Sequence, residues 1–326
     1  MNSKRGCIAI CVFMFVIGVL CTIGSASEEA YPSRPIEMII VFPPGGPTDM
    51  SVRIMQPVLE TTLGVPLIFT YKVGGNGALG ADFLTKAKPD GYTIGNVPIS
   101  TFISSPQFNP SIPYKYTDIT PICIHTVDPV VLVSRPDAPW KTLGELVDYA
   151  KKNPGKLNYG SPGMGSACFV VVELIKLHFG LEITPVQFQG TAPVRTAVLG
   201  GHVDFGTGGL SGFIPLIKAG KIIPLVVTTF KPSVDFPDIP TIAKKGLPKP
   251  SIDLWNGIFV PQKCPKNVIE KLSWAMEKVM KDPAVISQLE KAMFIIEYRT
   301  SEETIRLMEE GFNEITKVVK KLGIVK

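Results

Sequence analysis

Ile36-Glu37-Met38-Ile39-Ile40-Val41-Phe42-Pro43-Pro44-Gly45-Gly46-Pro47-Thr48-Asp49 passes from an apolar run through a glycine loop into a helix start. Residues 36–42 are short and apolar, as a strand buried on both faces should be. Beyond Asp49, the residues Met50, Ile54, Met55, Val58, Leu59 and Leu63 recur at helical spacing, and Gly64 ends the run. Pro57 lies inside that helix and predicts a kink or a local opening.

The same unit recurs downstream. Residues 66–71 read as a strand, followed by the glycine loop 74–80 and a helix over 79–87. Residues 156–159 lead into Gly160-Ser161-Pro162-Gly163-Met164-Gly165-Ser166 and a helix over 167–179. Gln189-Gly190-Thr191-Ala192-Pro193 is a fourth strand-to-helix junction. Each helix start leaves backbone N–H groups unpaired at the positive end of the helix dipole. Glycine lets a ligand come close to them. Several such ends facing one cleft make an anion site that needs no arginine.

The remaining pattern continues the alternation. Pro89-Asp90-Gly91 is a turn before a strand over 92–97. Residues 98–121 carry five prolines and read as a loop over the surface or the cleft rim. Further strands are expected at 127–133, 157–159, 184–188, 203–205, 222–229 and 254–260. Helices are expected at 143–152, 192–199, 266–281, 284–292 and 302–322, and residues 230–250 read as a connector. Strand–helix alternation argues a parallel sheet with helical crossovers. Two such blocks predict a bilobed α/β protein, with ligands bound beyond the carboxyl ends of the strands.

Export is written at the start of the chain. Lys4 and Arg5 precede an uncharged run over 8–23, and Gly24-Ser25-Ala26 offers small residues for cleavage after Ala26. Residues 1–26 therefore read as a signal peptide. Cys21 lacks the small preceding residue of a lipidation site, so a lipid anchor there is not expected. Formal charge is +5, and falls to +3 without Lys4 and Arg5. No basic run with interleaved aromatics appears, so nucleic acid is not an expected partner. The mature chain keeps Cys123, Cys168 and Cys264, an odd number far apart in sequence. They read as buried free thiols and not as a disulfide framework. No C-x-x-C and no paired histidines occur, so no metal site is expected.

Enzymatic readings find little support. Gly75-Asn76-Gly77-Ala78-Leu79-Gly80 matches G-x-G-x-x-G, but the next strand lacks a terminal acid. A small-anion loop fits better than a dinucleotide loop, and no cofactor is expected. Ser161 and Ser166 both fail the G-x-S-x-G elbow. His125 at the end of an apolar strand, His178 on a helix and His202 in a turn read as structural or exposed. No catalytic residue is assigned. Thr191 is either a cap or a ligand contact, with Pro193 suited to the first helical turn. Arg195 is either a surface residue or a contact for a second carboxylate. Asp49 is expected to cap its helix and not to meet the ligand. Phe42, Phe102, Phe169 and Phe213 read as core, with an apolar pocket wall as the alternative.

These loops together resemble the extracytoplasmic solute receptors of tripartite tricarboxylate transporters, often called Bug-type receptors. The match runs from Tyr31 to about Lys320. It begins with Tyr31-Pro32-Ser33-Arg34-Pro35-Ile36 and the first loop, then Gly74–Asp82 with Lys88-Pro89-Asp90-Gly91-Tyr92-Thr93. Tyr159–Ser166, Phe188–Pro193, Leu199–Phe205, Ala219-Gly220-Lys221, Asp238-Ile239-Pro240-Thr241 and Trp255-Asn256-Gly257 follow in the family's order. The chain departs from the usual pattern at Pro47, Tyr71, Val73 and Phe169, and Pro47 removes one N–H donor.

The resemblance implies a two-lobed type II periplasmic-binding-protein fold, each lobe a mostly parallel sheet flanked by helices, joined by crossing strands. Residues 31–126 and 248–326 would form lobe 1, and residues 127–247 lobe 2. It implies a small carboxylate held by backbone N–H groups, often through bridging waters. Carried onto this chain, the contacts are Gly45, Gly46, Thr48, Gly75, Asn76, Gly77, Ser161, Gly165, Ser166, Ala167, Gly190, Thr191 and Ala192. The implied partners are integral-membrane transporter subunits, and the receptor reads as a periplasmic monomer. A ligand-dependent sensor uses the same pocket; an exported hydrolase is the third reading.

Overall fold

The structure is a computed structural model that describes residues 31–228, 239–242 and 253–323. The signal-peptide reading and most of the connector reading at 230–250 lie outside the described residues. Along the chain run β1 (Ile36–Ile40), α1 (Pro47–Leu63), β2 (Leu67–Tyr71), α2 (Ala78–Thr85) and β3 (Thr93–Pro98). Next come α3 (Ile99–Ile103), α4 (Ser105–Phe108), β4 (Ile119–Asp128), β5 (Val130–Ser134) and α5 (Leu143–Lys152). The middle holds β6 (Leu157–Ser161), α6 (Ala167–Phe179), β7 (Ile183–Gln187), α7 (Thr191–Leu199), β8 (Phe205–Gly209), α8 (Ile214–Lys218) and β9 (Ile223–Val227). The chain closes with β10 (Leu254–Pro261), α9 (Lys266–Met280), α10 (Pro283–Lys291), β11 (Ile295–Thr300) and α11 (Ser301–Leu322).

Two sheets result. The first has the order β11-β4-β10-β3-β1-β2, the second β7-β6-β8-β5-β9. In the first, β1 pairs parallel with β2 and β3, while β10 is antiparallel to both β3 and β4. Strands β1 to β4 therefore share one direction, and β10 and β11 oppose them. In the second, β6 pairs parallel with β7 and β8, and β5 is antiparallel to β8 and β9. Only β5 runs against its neighbours there. The chain crosses from the first sheet to the second at Asp128-Pro129-Val130 and returns between β9 and β10. The fold is thus the expected two-lobed α/β architecture with mixed sheets.

Four local readings need correction. The span 98–121 is not all loop: α3 starts after Pro98, and Pro106 sits in the first turn of α4. Proline has no N–H to lose at a helix start, so it favours one there. The strand expected at 127–133 is two strands, broken at Pro129, and β4 begins at Ile119. His125 accordingly lies inside β4 and not at a strand end. Strand β11 was not foreseen; its residues Ile295–Thr300 are half exposed on a sheet edge and carry no buried run.

Apolar burial follows the two sheets. Ile39, Val41, Phe102, Phe259 and Met308 belong to a cluster around the first sheet. Leu132, Trp140, Tyr159, Val171 and Phe205 belong to a cluster around the second. Helix α11 contributes to both: Met308 packs in the first cluster, Ile315 and Val319 in the second. Cys123, Cys168 and Cys264 are buried free thiols, as expected. Burial pushes the Cys123 thiol up to about 12.

Candidate ligand-binding cleft

Between the two lobes lies a cleft, part of it open to solvent. One side is built by Phe42, Pro43, Gly46, Pro47 and Thr48, with Asn76, Pro98 and Ser100 and, from β10 and its approach, Leu254 and Asn256. The facing side is Pro162, Ser166, Gly190, Thr191 and Ala192. Among the described residues, no charged side chain lines it. Three helices begin at this cleft: α1 after Gly46, α6 after Ser166 and α7 after Gly190, while α2 starts behind Asn76 with its first N–H groups bonded to Gly74 O and Gly75 O. First-turn N–H groups have no partner within their own helix, so each start presents donors to a ligand.

The lobes touch across the cleft. Asn76 Nδ2 donates to Ser105 Oγ at 2.8 Å and reaches Met164 O, on the other lobe, at 3.4 Å. Phe108 and Phe169 meet edge-to-face with centroids 5.5 Å apart. Two glycines permit this approach. A Cβ on Gly163 would lie 2.5 Å from Asn76 Cβ, and one on Gly165 would lie 2.9 Å from Ser105 Cα. Both glycines have positive φ, +148° and +79°.

The sequence-read contacts divide into two groups. Gly46, Thr48, Asn76, Ser166, Gly190, Thr191 and Ala192 line the cleft. Gly45, Gly75, Gly77, Ser161, Gly165 and Ala167 do not. Gly45 N–H is taken by Asp49 Oδ2 at 2.8 Å. Gly77 faces the core, where a Cβ would meet Val41 and Thr101. Ser161 is fully buried at the end of β6, near Gly163 N and O at 3.4 Å. Gly165 faces α4, Ala167 is buried in the first turn of α6, and Gly75 is exposed.

Asp49 does not cap its helix as expected: Gly46 is the N-cap with no side-chain cap bond, and the Asp49 carboxylate instead takes Gly45 N–H of the loop and pairs with Arg53. Its carboxylate accepts from Arg53 Nε at 2.9 Å and from Tyr71 Oη at 2.6 Å. The Asp49 hydrogen bond raises the Arg53 pKa above its ordinary value. Arg195 turns to the Gly212 carbonyl at 2.9 Å, where it braces the turn after β8. Of the four phenylalanines, Phe42 lines the cleft, while Phe102, Phe169 and Phe213 are buried. Ser166 Oγ accepts from Phe169 N at 3.1 Å, an N-cap. His125 is fully buried and bonds Asn96 and Thr126, one residue removed from the cleft through Asn96 and Thr48.

The sequence reading missed Pro43, Pro47, Pro98, Ser100, Pro162, Leu254 and Asn256 as cleft residues. Leu254 and Asn256 come from β10, far downstream, so no local pattern ties them to the glycine loops. Asn256 stood in the sequence only as part of Trp255-Asn256-Gly257. Its neighbour network is the part of the site that only the fold assembles: Thr48 Oγ1 donates to Asn256 Oδ1 at 3.4 Å, and Asn96 Nδ2 donates to Thr48 O at 2.6 Å.

Known proteins share this architecture over most of the chain. A UPF0065 protein from Bordetella pertussis is 30% identical over 308 residues, 94% of this chain and 95% of its own. The structure of MatC from Rhodopseudomonas palustris with bound malate superposes with a TM-score of 0.84 at 27% identity, covering 89% of this chain and all of its own. That of R. palustris Rpa4515 with adipate gives 0.85 at 27% identity, covering 90% and 98%. The family model described as the tripartite tricarboxylate transporter family receptor matches residues 51–324. A cleft at three helix starts with no charged side chain among the described residues, on this fold and with these relatives, identifies the chain as a member of the tripartite tricarboxylate transporter receptor family.

Proposed function

We propose that this receptor captures a small carboxylate between its lobes in the periplasm and delivers it intact to integral-membrane transporter subunits. One observation carries the reading: three helix N-termini converge on a cleft that, among the described residues, holds no charged side chain. A carboxylate takes its hydrogen bonds there from backbone N–H groups and meets no competing carboxylate. Hydrogen bonds to a charged group are worth about 1.5–3 kcal/mol each. Three or four of them, less the cost of ordering, leave roughly −8 kcal/mol, a micromolar affinity. Two neighbours that hold malate and adipate support the ligand class. The ligand touches both lobes, so it favours the closed arrangement over an open one. The reading is of a binding protein and not an enzyme: Ser166 is engaged as a helix cap, and His125 is fully buried and does not line the cleft.

Thermal unfolding against mono-, di- and tricarboxylates at 1 mM tests this. A micromolar ligand adds about 4 kcal/mol at 1,000 times its Kd. A marked rise in Tm with one or a few acids, each recovered unchanged, is the expected result. No shift with any carboxylate overturns the reading, and turnover of a bound acid would replace it with an enzymatic one.

A further inference from the structure

Two buried amide atoms of the cleft have no hydrogen-bond partner among the described residues: Asn76 Oδ1 and Asn256 Nδ2. Both residues line the cleft, and they are 4% and 1% exposed. Asn256 Oδ1 accepts from Thr48 Oγ1 at 3.4 Å, and Nδ2 is the end without a partner. Asn76 Nδ2 points at Met164 O, an atom that can only accept. Ser105 Oγ, the other partner of Asn76 Nδ2, directs its own hydrogen toward Ser100 O. Reversing the Asn76 amide would therefore set Oδ1 against a carbonyl, so Oδ1 is the unused end there. The cleft thus offers one spare donor and one spare acceptor on side chains, beyond the N–H groups of the helix starts.

A carboxylate oxygen satisfies the donor, Asn256 Nδ2. It cannot satisfy Asn76 Oδ1, which needs a hydrogen from the ligand. A hydroxyl supplies that hydrogen without bringing charge. An ammonium would also supply it, but among the described residues no carboxylate side chain lines the cleft to balance it, and Asp49 is already paired with Arg53. We infer that Asn76 and Asn256 make this receptor selective for a hydroxy acid over the corresponding deoxy acid, with Asn76 Oδ1 accepting from the ligand hydroxyl and Asn256 Nδ2 donating to its carboxylate. The inference rests on the carboxylate-receptor reading above and assigns the ligand a second functional group. Asn76 sits in the left-handed region at φ 56°, a conformation that asparagine tolerates and glycine adopts freely.

The test is calorimetric titration at pH 7 with matched pairs: lactate and propionate, malate and succinate, citrate and tricarballylate. At least one hydroxy acid is expected to bind tenfold or more tightly than its deoxy partner, the range for a buried acceptor left unpaired by the lesser ligand. Asn76→Gly keeps the backbone conformation and removes the acceptor, so the ratio should fall to about one. Equal binding of each pair to the wild-type protein overturns the inference and leaves the carboxylate reading standing. A ratio that survives Asn76→Gly overturns the role of Asn76. If no acid of either kind binds, the carboxylate reading falls and the inference falls with it.

Discussion

The Nε2 atom of His125 lies 2.9 Å from Asn96 Oδ1, inside a strand and out of reach of water. Asn96 Nδ2 is spent on Thr48 O, so its Oδ1 faces the ring and Nε2 must carry the hydrogen. Nδ1 is then the acceptor for Thr126 Oγ1 at 3.1 Å. A neutral imidazole satisfies every bond in the chain, and burial lowers the His125 pKa to about 3.

Stability should therefore fall on the acid side because of this residue. Between pH 6.5 and 3 the unfolded chain takes up a proton on His125 and the folded chain does not. The loss is on the order of 5 kcal/mol once pH reaches the folded value. His125→Gln can still donate to Asn96 and cannot protonate. Chemical denaturation of the two proteins at pH 7 and pH 4 should show a smaller drop for the variant; an equal drop would refute the assignment.

Asp128 has the opposite sign. It is fully buried at the crossing from the first sheet to the second, and it accepts from Ser211 N at 3.1 Å and Ser211 Oγ at 2.7 Å. Burial raises its pKa to about 7, against the hydrogen bonds from Ser211. Its stabilising contribution is complete below pH 3.8 and is lost as pH rises through 7. Asp128→Asn should raise Tm more at pH 8 than at pH 5, and least below pH 3.8. A uniform fall at both would show that the carboxylate itself is needed.

Gly163→Ala should hold the cleft open. The added Cβ would meet Asn76 Cβ at 2.5 Å, at a backbone φ of +148° that disfavours any side chain. Overpacking of this kind costs about 1–3 kcal/mol. Charged to closure, that is roughly a 5- to 150-fold loss of ligand affinity. Titration gives the affinity, and small-angle scattering with ligand should keep the radius of the ligand-free protein. Unchanged affinity would mean that binding does not require this contact.

Asp49→Ala should destabilise the first loop without emptying the cleft. It removes the acceptor for Gly45 N, Arg53 and Tyr71. A fall of about 2 kcal/mol is expected, since Arg53 is half exposed and its share is screened by solvent. Urea unfolding measures it, and a change under about 0.5 kcal/mol, the scatter of a surface substitution, would count against this role.

Much of the fold was legible because glycine loops and apolar strands leave local marks. The loops at Gly46, Ser166 and Gly190 landed on the cleft for that reason. Residues 119–126 of β4 and all of β11 were lost because their burial comes from neighbours far away in sequence. The α3–α4 segment was lost because proline breaks helices inside but starts them at the end. In the site, four of the six glycine contacts fall outside the cleft lining: Gly77, for one, clears Val41, and Gly165 clears Ser105. A sequence does not say whether a glycine makes room for a ligand or for another part of the chain. Asn256 was lost because β10 reaches the cleft only through its pairing with β3 and β4.

Helix α11 packs Met308 into the first core and Ile315 and Val319 into the second. It is one continuous rod, capped at Thr300 and at Gly323. A swing of one lobe from the other would drag part of this rod across a packed surface, so the rate of opening would depend on Ile315 and Val319 as well as on what the ligand touches. A receptor built in this way can have its unloading tempo retuned by a methyl group on a distant helix, with its choice of cargo left alone.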